Sequence, residues 1–170
     1  RTMAKVTFMG HPVTTNGDLP NVGSKAPAFL LTTKDLEDVG LGNYQGKKKL
    51  LNIVPSLDTP TCAISTRKFN EYAKEHPETM ILVVSADLPF AQSRFCQDES
   101  LENVVTLALM HTPRFTSDYG VAIIDGPLKG LAARAIVVMD ENDTVRYTEL
   151  VPEIGDEPDY ELAMAALEAI

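Results

Sequence analysis

Two cysteines are the whole thiol inventory of this 170-residue sequence, which also lacks tryptophan and has only three histidines. Two thiols alone cannot build a four-ligand zinc site, and His11, His76 and His111 stand at no ligand-like spacing to them. In a reducing compartment a structural disulfide is disfavoured, so the cysteines are either inert core residues or at least one of them is chemical. No apolar run approaches the ~20 residues that a membrane-spanning helix needs. The N-terminus lacks a secretory pattern, because Lys5 leads into alternating residues and Gly10-His11-Pro12 instead of an apolar stretch. Basic charge is scarce too, with 15 Lys and Arg against 24 Asp and Glu and a net charge of −9. Nucleic acids and anionic membranes are gripped by clusters of Lys and Arg. The densest such run, Lys47-Lys48-Lys49, reads as a solvated loop leading into a strand. These absences point to a cytoplasmic protein with no nucleic-acid or membrane partner.

What is present is ordinary for a globular chain: 44% hydrophobic and 23% charged residues, at a length that fits one sizeable core. No repeat, low-complexity stretch or linker interrupts it, so residues 1–170 read as a single domain. Arg1 and Thr2 precede Met3 and read as remnants of cloning. Lys5–Met9 and Val13–Thr15 alternate around Gly10-His11-Pro12, which predicts an N-terminal hairpin within residues 3–17. Phe29–Thr33 is a further short strand, and Leu50–Val54, ended by Pro55, is the apolar run of a strand buried on both faces. A helix follows, capped by Thr59 or Thr61 with Pro60 in its first turn, and stops before Pro77. Next come a strand at Met80–Ser85, a helix at Pro89–Gln97, a strand at Val104–Ala108 and a short helix at Arg114–Tyr119. Ala133–Met139 and Thr144–Val151 form a hairpin around Asp140–Asp143, and Pro158–Ile170 is a closing helix that packs through Leu162, Ala165, Ala166 and Ala169. Early β-α-β crossovers imply parallel strands and the late hairpin adds an antiparallel pair. This is an α/β chain of the thioredoxin-like pattern, a mixed central sheet flanked by helices.

The chemistry concentrates in Pro55-Ser56-Leu57-Asp58-Thr59-Pro60-Thr61-Cys62. This segment joins a buried strand to a helix and sets Cys62 in or beside the first turn. Unpaired N–H groups and the helix dipole favour an anion there, and a thiolate is the form in which cysteine is a nucleophile. Thr59, three residues earlier, can fold its hydroxyl back toward the sulfur, and Pro55 turns the chain and adds an apolar shield. The plainer reading is a small buried hydrophobe, common for free cysteine. The placement after strand and proline argues against it.

Pro55, Thr59 and Cys62 match the active-site motif of peroxiredoxins, and further segments resemble the bacterial thiol peroxidase branch. The most specific are the stretch from Ser85 through Asp87, Pro89 and Arg94 to Cys96 and the stretch from Gly126 to Arg134; Gly10–Val13, Gly23–Pro27, Arg67–Asn70 and Tyr119–Val121 add to them. The resemblance implies that Cys62 is the peroxidatic cysteine and Cys96 the resolving one, with a Cys62–Cys96 disulfide formed in each cycle. It implies that Thr59 bonds thiolate and peroxide, that Arg134 stabilises the thiolate and polarises the peroxide, and that Pro55 shields the sulfur. It further implies a hydroperoxide substrate, thioredoxin as reductant, a homodimer, and no cofactor or metal. For Arg134 the plainer alternative is a structural ion pair. Its neighbours Ala132, Ala133, Ala135 and Ile136 are small or apolar, and a guanidinium among them needs a specific anion.

Two rival functions stay in view. A thiol–disulfide oxidoreductase uses Cys-x-x-Cys at a helix start, but Thr59 occupies the first of those positions here. A redox sensor would oxidise once and need no fast recycling. Phe90, Phe95 and Ile154 are apolar candidates for lining a site that takes alkyl hydroperoxides. The acidic group Glu153, Asp156, Glu157 and Asp159 reads as solvated charge ahead of the last helix.

Overall fold

A computed structural model describes residues 3–170; the reading of Arg1 and Thr2 lies outside the described residues. The first elements, β1 (Lys5–Phe8) and β2 (His11–Thr14), pair antiparallel as a sheet of their own. The hairpin expected there turns at Met9-Gly10, one residue earlier than the sequence suggests, with φ of 53° and 81°. Glycine enters that region without strain. Pro12 sits inside β2 opposite Thr7. Its missing N–H costs no ladder bond, because Thr7 turns its N–H to the Pro152 carbonyl (2.8 Å) and its carbonyl to the Ile154 N–H (2.8 Å).

The remaining elements follow in chain order: β3 (Leu31–Thr32), β4 (Asp38–Val39), a single 3-10 turn (Leu41–Tyr44), β5 (Lys48–Ile53), α1 (Pro60–Glu75), β6 (Thr79–Ser85), α2 (Pro89–Asp98), β7 (Val105–Ala108), α3 (Phe115–Asp118), β8 (Ala135–Met139), β9 (Val145–Leu150) and α4 (Tyr160–Glu168). They build a seven-stranded sheet in the order β4-β3-β7-β6-β5-β8-β9. The crossovers β5-α1-β6 and β6-α2-β7 give the parallel core, and β3 and β8 join it antiparallel. β4 and the 3-10 turn carry too few residues to leave a period in the sequence.

β5 lies between β6 and β8 at the centre of the sheet, and Lys49–Ile53 are buried on both of its faces. Alternation along a strand sends successive side chains to opposite faces. Leu50 and Val54 therefore join Cys62, Phe69 and Leu167 beneath α1 and α4. Leu51 and Ile53 join Phe29, Phe115 and the hairpin's Val6 and Val13 on the other face. Lys49 follows the same alternation inward. It is fully buried and donates to the Asp143 carboxylate (2.5 Å) and the Lys47 carbonyl (2.9 Å), so it is not the solvated residue the lysine run suggested. The closing helix also differs from expectation. Ala163 and Leu167 face the sheet while Leu162, Ala165 and Ala169 are exposed. An alanine-rich helix is apolar on several sides, and tertiary contacts choose its buried face.

Candidate active site

The end of β5 delivers the chain to buried Pro55, and the loop from Ser56 to Asp58 leads to Thr59, the residue capping α1. Pro60 at the first helical position has no N–H to leave unpaired. The first bond of the helix runs from the Ala63 N–H to the Thr59 carbonyl (3.2 Å). Cys62 thus stands in the first turn, where backbone donors and the helix dipole favour an anion. Its side chain is fully buried. Thr59 does not cap the helix with its hydroxyl, an interaction ordinarily worth ~1 kcal/mol. The hydroxyl lies instead 2.8 Å from Cys62 Sγ, with the Ser56 carbonyl 3.0 Å away on its other side. One proton serves two acceptors there, so the hydroxyl can donate to sulfur or to the carbonyl.

Arg134 approaches from the opposite direction, one residue ahead of β8. Its Nη1 donates to Cys62 Sγ at 3.0 Å and its Nε to the Ile154 carbonyl at 2.8 Å. The side chain is 2% exposed, and none of the ion pairs among the described residues supplies it with a carboxylate. A buried cation without a counter-ion is costly. Among the hydrogen-bond partners described for Arg134, the group that can carry negative charge is the Cys62 sulfur.

The carbonyl that accepts from Arg134 Nε belongs to the segment between β9 and α4. Besides the Ile154 carbonyl, the Gly155 carbonyl accepts from the Thr61 hydroxyl in α1 (2.7 Å). The same segment is tied to the N-terminal hairpin by Glu153, whose carboxylate accepts from the Thr7 hydroxyl (2.9 Å) and the Gly10 N–H (3.0 Å). The Gly155 N–H, and then the Gly10 N–H and the Thr7 hydroxyl, hold its carboxyl below the usual carboxylate range. Glu153 is therefore surface charge, as the sequence suggests, that also clamps the hairpin to the site. Its neighbour Asp159 does what the sequence suggests, accepting from the Leu162 N–H as the cap of α4.

A second carboxylate lies on the other side of the loop. Asp87 accepts from the Ser56 hydroxyl, the Leu57 N–H and the Ser85 hydroxyl, each at 2.7 Å. Sequence reasoning quoted Asp87 within a motif and gave it no task; only the close approach of the β5-α1 and β6-α2 loops reveals one.

Cys96 occupies the last turn of α2 and is half-buried; its thiol, like that of the fully buried Cys62, is free. Both belong to the apolar layer on the same face of the sheet. Burial pushes the Cys96 thiol up, against opposing effects of a Thr106 hydrogen bond and the Lys34 charge. Cys96 also lines a groove of about 730 Å³ together with Ser93, Gln97, Leu101 and Lys34. A raised thiol is protonated at neutral pH, so its alkylation is expected to be slow there and to climb with rising pH. In folded Cys62→Ser protein, iodoacetamide labelling of Cys96 should still accelerate above pH 9, unlike a free thiol ionising near ~8.5. A labelling profile that coincides with that of a free thiol would contradict this.

Of the apolar lining candidates, Phe95 and Ile154 are buried and Phe90 is 63% exposed. Ile154 serves through its backbone carbonyl while its side chain packs on the far face of the sheet. Among the described residues no group of three or more His, Cys, Asp or Glu is placed to hold a metal ion. Among the described residues no helix is long and apolar enough to cross a membrane.

The chain that carries this buried thiol has close parallels among known proteins. The redoxin family model matches residues 21–164. Proteins called thiol peroxidase in Mycobacterium tuberculosis and Mycobacterium bovis are 53% identical over 167 residues, covering 98% of this chain and 100% of each relative. A solved peroxiredoxin-like protein from Aquifex aeolicus superposes with a TM-score of 0.91 at 41% identity, covering all of both chains. A thiol peroxidase from Chromobacterium violaceum superposes at 0.90 over 97% of this chain and 95% of that one, and at 24% identity it speaks for the fold alone. The architecture is the thioredoxin-like one that the sequence pattern predicted, with the hairpin added at its N-terminus. With the family match running through Cys62, Cys96 and Arg134, and with half of all positions shared with the mycobacterial proteins, this chain belongs to the redoxin family as a thiol peroxidase, a peroxiredoxin enzyme.

Proposed function

We propose that Cys62 is the peroxidatic cysteine of this enzyme and Cys96 its resolving cysteine, with Thr59, Arg134 and Pro55 completing the site. The observation that carries this reading is the placement of Cys62 Sγ, 2.8 Å from the Thr59 hydroxyl and 3.0 Å from a buried guanidinium that has no carboxylate partner among the described residues. The thiolate attacks the terminal oxygen of the hydroperoxide. The S–O bond forms as the O–O bond breaks, and the leaving alkoxide or hydroxide takes a proton to become alcohol or water. Sulfur is oxidised to sulfenic acid by two electrons and the peroxide is reduced by two. Negative charge grows on the departing oxygen, and Arg134 and Thr59 are donors already in place to receive it. Pro55, buried beside the loop, limits water at the sulfur.

In the second half-reaction the Cys96 thiol attacks the sulfenic sulfur, forming the Cys62–Cys96 disulfide and releasing water. Two thiols of a reductant then exchange with that disulfide and return both cysteines to the free state. Family resemblance supports thioredoxin as that reductant and a homodimer as the working form. Hydrogen peroxide and organic hydroperoxides are the substrate class, and the physiological role is antioxidant defence in the cytoplasm, where free thiols persist. Residues 1–170 act as one catalytic domain.

Cys96→Ser tests the division of labour. Cys62 keeps its helix start, Thr59 and Arg134, so the first oxidation stays fast. Thioredoxin-driven turnover falls by on the order of 10²-fold or more, and the stranded sulfenic acid moves on to sulfinic acid with a second peroxide. A Cys96→Ser protein recycled by thioredoxin as fast as wild type would remove Cys96 from the mechanism.

A further inference from the structure

The carboxylate of Asp87 is the point where the segments carrying the two cysteines meet. Asp87 lies between Ser85, which ends β6, and Pro89, which begins α2. Toward the Cys62 side, Oδ1 accepts from the Ser56 hydroxyl and Oδ2 from the Leu57 N–H, both at 2.7 Å and about thirty residues away along the chain. Ser56 is in turn the residue whose carbonyl stands 3.0 Å from the Thr59 hydroxyl, the group beside Cys62 Sγ. Toward the Cys96 side, Oδ2 accepts from the Ser85 hydroxyl (2.7 Å), which accepts from buried Gln92 Nε2 (3.0 Å) in α2. Gln92 also donates to the Leu107 carbonyl (3.0 Å) and stands one helical turn before Cys96.

Three short bonds to one carboxylate are charge-assisted and about twice as strong as neutral ones. A disulfide requires Cα atoms about 4.4–6.8 Å apart; here both thiols are free, and Cys62 Sγ is buried between Thr59 and Arg134 rather than bonded to Cys96. We propose that Asp87 is a positioning residue that latches the two segments together. Closed, it fixes Ser56 and Leu57, and so the peroxide-reactive placement of Thr59. Released, it frees both the first turn of α1 and the start of α2 to move toward the disulfide. Asp87 touches neither the sulfur nor the peroxide, and acts through Ser56 and Leu57. This inference rests on the assignment of Cys62 and Cys96 given above.

Asp87→Asn keeps the shape and removes the charge, and the Leu57 N–H cannot reverse its polarity to suit an amide nitrogen. Rapid quench with intact-mass and peptide analysis separates the two steps: sulfenic acid appearance and Cys62–Cys96 disulfide formation. In Asp87→Asn the first is expected to slow about tenfold, the scale of a small misplacement at a reacting centre. The second should quicken severalfold, and sulfinic acid at high peroxide should fall. A merely structural Asp87 would lower thermal stability and leave the ratio of the two rates per folded molecule unchanged, and that result would overturn the proposal. If Asp87→Asn does not fold, Ser56→Ala removes one bond on the loop side and should shift the ratio in the same direction by less; no shift there counts against the latch equally. Wild type in the same run keeps the two claims apart. Absence of any Cys62–Cys96 peptide in it defeats the cysteine assignment, whereas its presence with an unchanged ratio in the variant defeats only the latch.

Discussion

Cys62→Ser is expected to abolish peroxide turnover in a protein that still folds. A serine hydroxyl does not ionise near neutral pH, so it offers no anionic nucleophile to the O–O bond, however well Thr59 and Arg134 are placed. The loss should be on the order of 10⁴-fold or more, as when the nucleophile of a preorganised site is removed. The fold has little reason to fail. The new hydroxyl is nearly isosteric and can accept from the same Thr59 and Arg134 donors that reach Sγ at 2.8 and 3.0 Å. Stability should stay within ~2 kcal/mol of wild type. Circular dichroism and a coupled peroxidase assay check both halves, and turnover retained by a folded Cys62→Ser protein would sink the assignment.

Arg134→Ala is expected to slow oxidation of Cys62 by roughly 10²–10³-fold, the scale for losing one preorganised donor to developing charge. Its energetics are mixed. The Ile154 carbonyl loses its Nε donor at 2.8 Å, and a buried acceptor left unpaired costs ~1–3 kcal/mol, so the rate must be taken per folded molecule. Lysine should restore only part, since a single ammonium cannot reach both Sγ and the carbonyl as the planar fork does. Arg134→Met, which keeps bulk without charge, should be as slow as alanine. A folded Arg134→Met protein oxidised at the wild-type rate would show that the guanidinium is structural and that its sulfur contact has no catalytic weight.

The chemistry of this site is legible in the sequence where it depends on local spacing. A buried strand, Pro55, Thr59, Pro60 and Cys62 within eight residues can be read as a thiol at a helix start because each effect acts over one turn of backbone. Arg134 stands out because a cation among alanines needs an anion, and the structure places Cys62 Sγ beside it. What stays hidden depends on tertiary approach or on main-chain atoms. The carbonyls of Ile154 and Gly155 hold Arg134 and Thr61, yet a carbonyl has no side-chain signature. Asp87 meets Ser56 across about thirty residues, and Glu153 meets Gly10 across 143. The tie made by Glu153 stays hidden because its partners include backbone N–H groups of a turn far upstream. Lys49 looked exposed because two other lysines precede it, while strand alternation turns it inward toward Asp143.

The central claim is that Cys62 and Cys96 form one redox pair within a chain, both of them free thiols here. Peptide mapping of reduced protein treated with one equivalent of hydroperoxide and digested without reductant tests it most directly. The account predicts a Cys62–Cys96 linked peptide as the main product, from protein that runs at monomer size on a non-reducing gel. Cys62 found as sulfenic or sulfinic acid beside an unmodified Cys96, or linked only to a cysteine of another chain, would contradict it.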